Sequence, residues 1–157
     1  MQKIAPFLWF DTEAEEAARF YVSIFPNSKI DTVARYSAAG PGPEGSVMIV
    51  SFELDGLRFT ALNGGPAFKF TEAISLQVEC EDQAEVDRLW EALTDGGEEG
   101  QCGWLKDRYG LSWQITPKRM GDLVGGDDPA KARRATEAMF KMRKLDIAAL
   151  ERARETA

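Results

Sequence analysis

The chain contains no histidine, so proton transfer near neutral pH would fall to a carboxylate with a displaced pKa, a lysine or a cysteine thiolate. Glu79, in the run SLQVEC, is the leading acid: a lone carboxylate in a mostly apolar strand, whose pKa burial would raise. The plainer reading is a wet glutamate near a strand end. Cys102 lies in Gly-Gln-Cys-Gly-Trp, an accessible turn, yet no base stands near it in sequence, which favours a structural thiol. Cys80 falls among core-facing residues. Neutral donors are more numerous. Side chains on a strand switch sides at every step. In residues 74–80, Ile74, Leu76, Val78 and Cys80 therefore face a helix, while Ser75, Gln77 and Glu79 face away. In residues 111–116, Leu111, Trp113 and Ile115 face the helix, and Ser112, Gln114 and Thr116 face away. Thr60 is the polar candidate of residues 57–63, and Trp9, Phe7, Trp104 and Tyr109 are candidate aromatic walls.

These residues need elements to carry them. Residues 4–10 form an apolar run that reads as a buried strand. Thr12 with Glu15 predicts a capping box, and Ala14, Ala17, Ala18, Tyr21 and Ile24 form a helical stripe ended by Pro26-Asn27. Residues 29–36 alternate as a strand. Residues 38–45, rich in Gly and Pro, read as a flexible loop. Strands over 46–54 and 57–63 are joined by Asp55-Gly56, a two-residue hairpin signal. The pattern then repeats: a strand over 74–80, a second capping box at Asp82 and Glu85, a helix with Val86, Leu89, Trp90 and Leu93 closed by Gly96-Gly97, short strands over 98–102 and 104–107, and a strand over 111–116. From Pro129 the chain reads as helix, with Asp127 or Asp128 as cap and a break near Asp146. The fold class is α+β, with paired βαβββ modules and C-terminal helices. The expected organisation is one domain over residues 1–120 (half-modules 1–63 and 72–117), with a helical tail over 121–157 packed on the body or on a partner subunit.

Composition narrows the partners. A net charge of -7 argues against nucleic acid or an anionic membrane surface, and the basic residues Lys131, Arg133, Arg134, Lys141, Arg143 and Lys144 read as a solvated helix face. Two cysteines are too few for a disulfide framework and suit a reduced, cytoplasmic setting. No apolar run is long enough to span a bilayer, and the opening MQKIAPFLWF reads as neither signal peptide nor membrane segment.

Three segments carry a specific resemblance: PFLWFDTEAEEAARFYVSIFPNSKI, FTALNGGPAFKFTEAISLQVECEDQAEVDRLWEAL and GGEEGQCGWLKDRYGLSWQITP. The chain resembles PhnB-like proteins of the glyoxalase/bleomycin-resistance (vicinal oxygen chelate) superfamily from about Ile4 to Pro117. The resemblance implies cupped sheets enclosing a cleft, and a homodimer. The sequence is compatible with pairing of the modules within one chain or across two. Metal-using members place His, Glu or Gln on the first, fourth, fifth and eighth strands. Here Gln114 matches the last of these in DRYGLSWQ, against the motif DxxGxxxE/Q, while Thr60 and Ser75 are poor neutral donors. One amide does not replace three protein ligands, so no metal is expected. Some relatives are labelled 3-demethylubiquinone-9 3-methyltransferases, but no Gly-rich loop here follows a strand and opens a helix, so no cofactor is expected either. The reading that follows is metal-independent binding of a small organic ligand in a cleft between cupped sheets. Its candidate residues are Trp9, Thr60, Ser75, Gln77, Glu79, Trp104, Ser112 and Gln114. Two alternatives stand beside it: an enzyme using Glu79 or Cys102, and an interaction module whose cup is filled by protein.

Overall fold

A computed structural model describes residues 2–156. The chain divides between Phe70 and Thr71 into two compact units, each a four-stranded mixed sheet with a helix on one face.

The first unit runs β1 (Phe7–Phe10), α1 (Ala14–Ile24), β2 (Lys29–Arg35), β3 (Val47–Leu54) and β4 (Leu57–Asn63), with sheet order β1-β4-β3-β2. β1 lies parallel to β4 and the other pairs are antiparallel. Alternation sends Leu8, Phe10, Val50, Phe52, Phe59 and Ala61 toward α1, and all are buried. The helix answers with Ala14, Ala17, Ala18 and Tyr21; the Tyr21 ring stacks on Phe52 at 6.4 Å, and Phe52 stacks on Phe59 at 5.5 Å. Each large side chain so buried contributes roughly 1.5–3 kcal/mol. The hairpin forms as predicted. Leu54 pairs with Leu57, and Asp55 (φ 50°) and Gly56 (φ 78°) both sit in the left-handed region that a type I′ turn requires.

Two expectations for this unit are corrected. β1 begins at Phe7 rather than residue 4. Pro6 has no N–H for a ladder, although its carbonyl still accepts from Thr60 N at 3.1 Å, and Ile4 is exposed. The Thr12 capping box does not form. The parallel pairing sets Asn63 beside Phe10, so Asn63 Oδ1 takes the first helical amide, Ala14 N, at 2.8 Å, while Glu13 turns back to accept Thr12 N at 3.0 Å. The Gly/Pro loop over 38–45 is tied at its base: Tyr36 N donates to Ser46 O and Gly45 N to Tyr36 O, both at 2.9 Å, and the Tyr36 hydroxyl donates to Asn63 O. Asn63 Nδ2 in turn donates to Val47 O at 3.1 Å, so one asparagine ties helix, loop and β3 together.

The second unit runs β5 (Ser75–Cys80), α2 (Gln83–Thr94), β6 (Glu98–Glu99), β7 (Trp104–Lys106) and β8 (Ser112–Pro117), with order β5-β8-β7-β6 and β5 parallel to β8. Here the expected cap does form: Asp82 Oδ1 accepts Glu85 N at 2.9 Å. Val86, Leu89, Trp90 and Leu93 are buried over Leu105, Trp113 and Ile115. Ile74, expected to pack on this helix, precedes β5 and is 72% exposed. β6 stops at Glu99 rather than residue 102. Past it, the amides of Cys102 and Gly103 bond out of the sheet, to Met142 O and Arg143 O, both at 2.8 Å.

Those acceptors belong to the tail. It comprises α3 (Met120–Val124), ahead of the helix read from Pro129 onward, α4 (Pro129–Met139) and α5 (Ile147–Glu155). Asp128 caps α4 through Ala130 N and Lys131 N, with Pro129 in the first turn; Asp146 caps α5 through Ala149 N. The Gln83 side chain brackets the junction, donating to Leu145 O at 3.0 Å and accepting Ile147 N at 2.8 Å. Basic tail residues meet acids of the same unit, as in Lys144 with Asp87 at 2.8 Å and Arg143 with Glu99 at 3.6 Å. The lysine holds the Asp87 carboxyl below its ordinary range. Among the described residues no helix is long and apolar enough to cross a membrane.

Candidate functional site

The face of the second sheet that points away from α2 is a ladder of polar side chains in register. Ser75 pairs with Ser112, Gln77 with Gln114, and Glu79 with Thr116. On the other side of β8, Trp104 pairs with Gln114 and Lys106 with Ser112. Six of the residues singled out in the sequence (Ser75, Gln77, Glu79, Trp104, Ser112 and Gln114) therefore share one face. The bonds along it join the strands: Gln114 Nε2 donates to Ser75 Oγ at 3.0 Å, and Gln77 Nε2 to Thr116 Oγ1 at 3.4 Å. Thr116 Oγ1 donates in turn to Val78 O at 3.0 Å. Ser112 is 1% exposed, and its Oγ is buried without a hydrogen-bond partner. Glu79 is exposed near the strand end, as its plainer reading held.

Trp9 and Thr60 lie in the first unit, both on the sheet face opposite α1, where Phe7 pairs with Thr60 and Trp9 with Leu62. Trp9 is engaged by its own loop. Its Nε1 donates to Gly65 O at 2.9 Å, Phe68 meets its ring edge-on at 4.9 Å, and Gly64 lies so close that a Cβ there would fall 2.4 Å from the indole. A cleft of about 580 Å³ opens elsewhere in this unit, between the start of α1 and the 38–45 loop, lined by Asp11, Glu15, Glu16, Tyr36 and Asn63 among others. Sequence reasoning missed it, because the loop's path depends on Tyr36 and Asn63 bonding to each other.

Two further residues escaped the sequence reading. Asp107 is 3% exposed and spends its carboxylate on the 107–113 turn: Oδ1 accepts Tyr109 N at 2.8 Å and Leu111 N at 3.1 Å, and Oδ2 accepts Trp113 Nε1 at 2.9 Å. Its signal was the aspartate that opens DRYGLSWQ. Lys106 projects from the same face as Trp104 and forms an ion pair with Glu72, which holds the lysine's pKa up and the glutamate's down. Two-residue alternation along β7 would have found it.

The thiols separate cleanly. Cys80 is wholly buried, and burial, reinforced by Glu85, pushes its pKa up to about 12; the neutral thiol is then inert at ordinary pH. Cys102 is partly exposed in a turn (φ 57°). A disulfide reagent at pH 8 is expected to modify one thiol in the native protein and two after denaturation. Cys102→Ser should remove the native reaction, and a fast-reacting Cys80 would contradict the burial.

A divalent cation does not fit these donors. At the positions that the resemblance assigns to ligands, Gln114, Ser75 and Thr60 are all neutral donors. The first strand, FLWF, supplies no donor side chain that binds such ions. Among the described residues no three His, Cys, Asp or Glu side chains cluster in a way that would hold a metal. A nucleotide-type methyl donor also lacks its cradle. The turns before α1 and α2 carry Asp11, Glu13, Glu81 and Asp82 with no glycine, and early amides of both helices are taken by Asn63 and Asp82.

Comparison with known proteins gives the lineage. The family model described as 3-demethylubiquinone-9 3-methyltransferase matches residues 2–116. A Bacillus cereus structure described as a putative 3-demethylubiquinone-9 3-methyltransferase, PhnB protein, is 40% identical; the alignment covers 74% of this chain and 99% of that one, with a TM-score of 0.69. A Pseudomonas aeruginosa protein shares the fold at 20% identity (75% and 98% covered, TM-score 0.63). So does the fosfomycin resistance protein FosX of Listeria monocytogenes, solved with Mn(II) and 1S,2S-dihydroxypropylphosphonic acid, at 15% identity (74% and 93% covered, TM-score 0.54). No curated protein matches. The two βαβββ units and the family match over residues 2–116 together make this chain a member of the PhnB-like family, built on the glyoxalase/bleomycin-resistance fold of the vicinal oxygen chelate superfamily.

Proposed function

We propose that this protein binds a small organic molecule without a metal, on the polar ladder of β5 and β8 beside Trp104. The observation that carries the reading is the register itself: hydroxyls from Ser75 and Ser112 and amides from Gln77 and Gln114 stand in two adjacent rows, with the Trp104 indole flanking the glutamine row. A few convergent polar groups beside an aromatic wall are the usual makeup of a small-molecule site. The Listeria protein is solved with Mn(II), but the neutral donors here suit hydrogen bonding to a ligand better than charge neutralisation of an ion. The turns that lead from β1 into α1 and from β5 into α2 carry no glycine, so nothing there supports methyl transfer.

The test uses benzamide, a neutral aromatic amide, read through the Trp104 indole N–H in nitrogen-15 NMR spectra. A saturable shift is expected, identical with and without EDTA, and weakened about tenfold in Gln114→Leu, the equivalent of one lost hydrogen bond. A shift that requires added Mn(II) or Zn(II), or no shift at all, would sink the reading.

A further inference from the structure

The ladder contains one row whose chemistry is not neutral. Across β7, β8 and β5 the row reads Lys106, Ser112, Ser75, and Lys106 is the sole cation among the residues of the three rows. Its partner Glu72 comes from the segment leading into β5 and is exposed, as is much of the lysine. Exposed ion pairs contribute little net stability, because both charges are well solvated when apart. Lys106 pairs with Ser112 on the next strand, their Cβ atoms about 5 Å apart by cross-strand spacing, and the Ser112 hydroxyl is buried and unpartnered. A buried hydroxyl without a partner is costly, and the same face carries the base of Lys106 on the neighbouring strand. Trp104 is two residues back along β7, about 7 Å away at strand rise.

We infer that the Lys106–Ser112 row is a subsite for the carboxylate of an aromatic or apolar acid, and that the Glu72 carboxylate stands on Lys106 until such a ligand displaces it. This rests on the binding function proposed above and names its ligand class. The charge count selects a monoanion: one ammonium balances one carboxylate, and Glu98, paired across from Lys106 on β6, repels a second negative charge. The ligand carboxylate takes the place of Glu72 on Lys106 Nζ, and the acid's ring lies along Trp104. The lysine's raised pKa keeps it charged throughout the physiological range.

Benzoate and benzamide differ by the charge in question and little else. In titrations read at the Trp104 indole, benzoate is expected to bind about tenfold more tightly than benzamide, the discrimination one charge-assisted bond supplies. Lys106→Met should collapse that ratio toward one. Glu72→Gln, which frees the lysine, should raise it several-fold, and because Glu72 lies outside the strands this variant keeps the fold. Benzamide binding as tightly as benzoate to the unmodified protein, or a ratio that survives Lys106→Met, would overturn the carboxylate subsite while leaving the general binding function in place. If neither compound shifts the indole signal, both fall.

Discussion

Asp107→Ala is expected to cost about 3–5 kcal/mol of stability, by far more than an exposed aspartate would. The carboxylate is buried and accepts from Tyr109 N, Leu111 N and Trp113 Nε1. Tyr109 is only partly buried, but Leu111 and Trp113 are each 2% exposed. Stranding a buried donor costs about 1–3 kcal/mol, so two stranded donors and a loosened turn give the stated range. For a chain of this length the melting temperature should fall by roughly 10 °C, at about 2–4 °C per kcal/mol. Asp107→Asn keeps Oδ1 for the two turn amides but points an amide nitrogen at the Trp113 N–H, and should cost about half as much. Thermal denaturation of the two variants checks the order. Equal and small losses, under about 3 °C, would show that the turn holds without its aspartate. The consequence reaches the ladder: this turn sets where β8 begins, and a slip of one residue would send Ser112 and Gln114 to the helix side.

Leu145→Ala is the second large effect, at about 3 kcal/mol within the range for buried leucines. Leu145 is wholly buried between α4 and α5, beside Gly103, and its carbonyl is held by Gln83. The informative readout is local. The amides of Cys102 and Gly103 donate to Met142 and Arg143, so hydrogen exchange at those two positions should speed up when Leu145 is truncated. If the tail were an appendage without structural consequence, global stability would change little and both amides would keep their protection. The family match ends at residue 116, so this docking lies beyond the part shared through that match.

What the sequence disclosed follows the range of the forces involved. Alternation over residues 111–116 and 74–80 placed Ser112, Gln114, Ser75 and Gln77 on one face, and the register agrees. Two expectations of the same type met different fates. Asp82 caps α2 through an amide three residues on, whereas Thr12 lost α1 to Asn63, some fifty residues away, because parallel pairing of β1 with β4 delivers a better acceptor. Ile74 was assigned to the core by extending a pattern one residue past the strand's start.

By itself the sequence determined the periodic elements, the hairpin at Asp55-Gly56, the faces of the strands, and a donor set without histidine, because each depends on residue type and on spacing over a few positions. Only the tertiary structure decided that Asn63 holds α1 to the loop, that Glu72 reaches Lys106, that Ser112 is buried without a partner, and that the tail takes the amides of Cys102 and Gly103. Those outcomes are competitions among distant donors and acceptors for the same few ångströms, and chain connectivity alone does not rank the competitors.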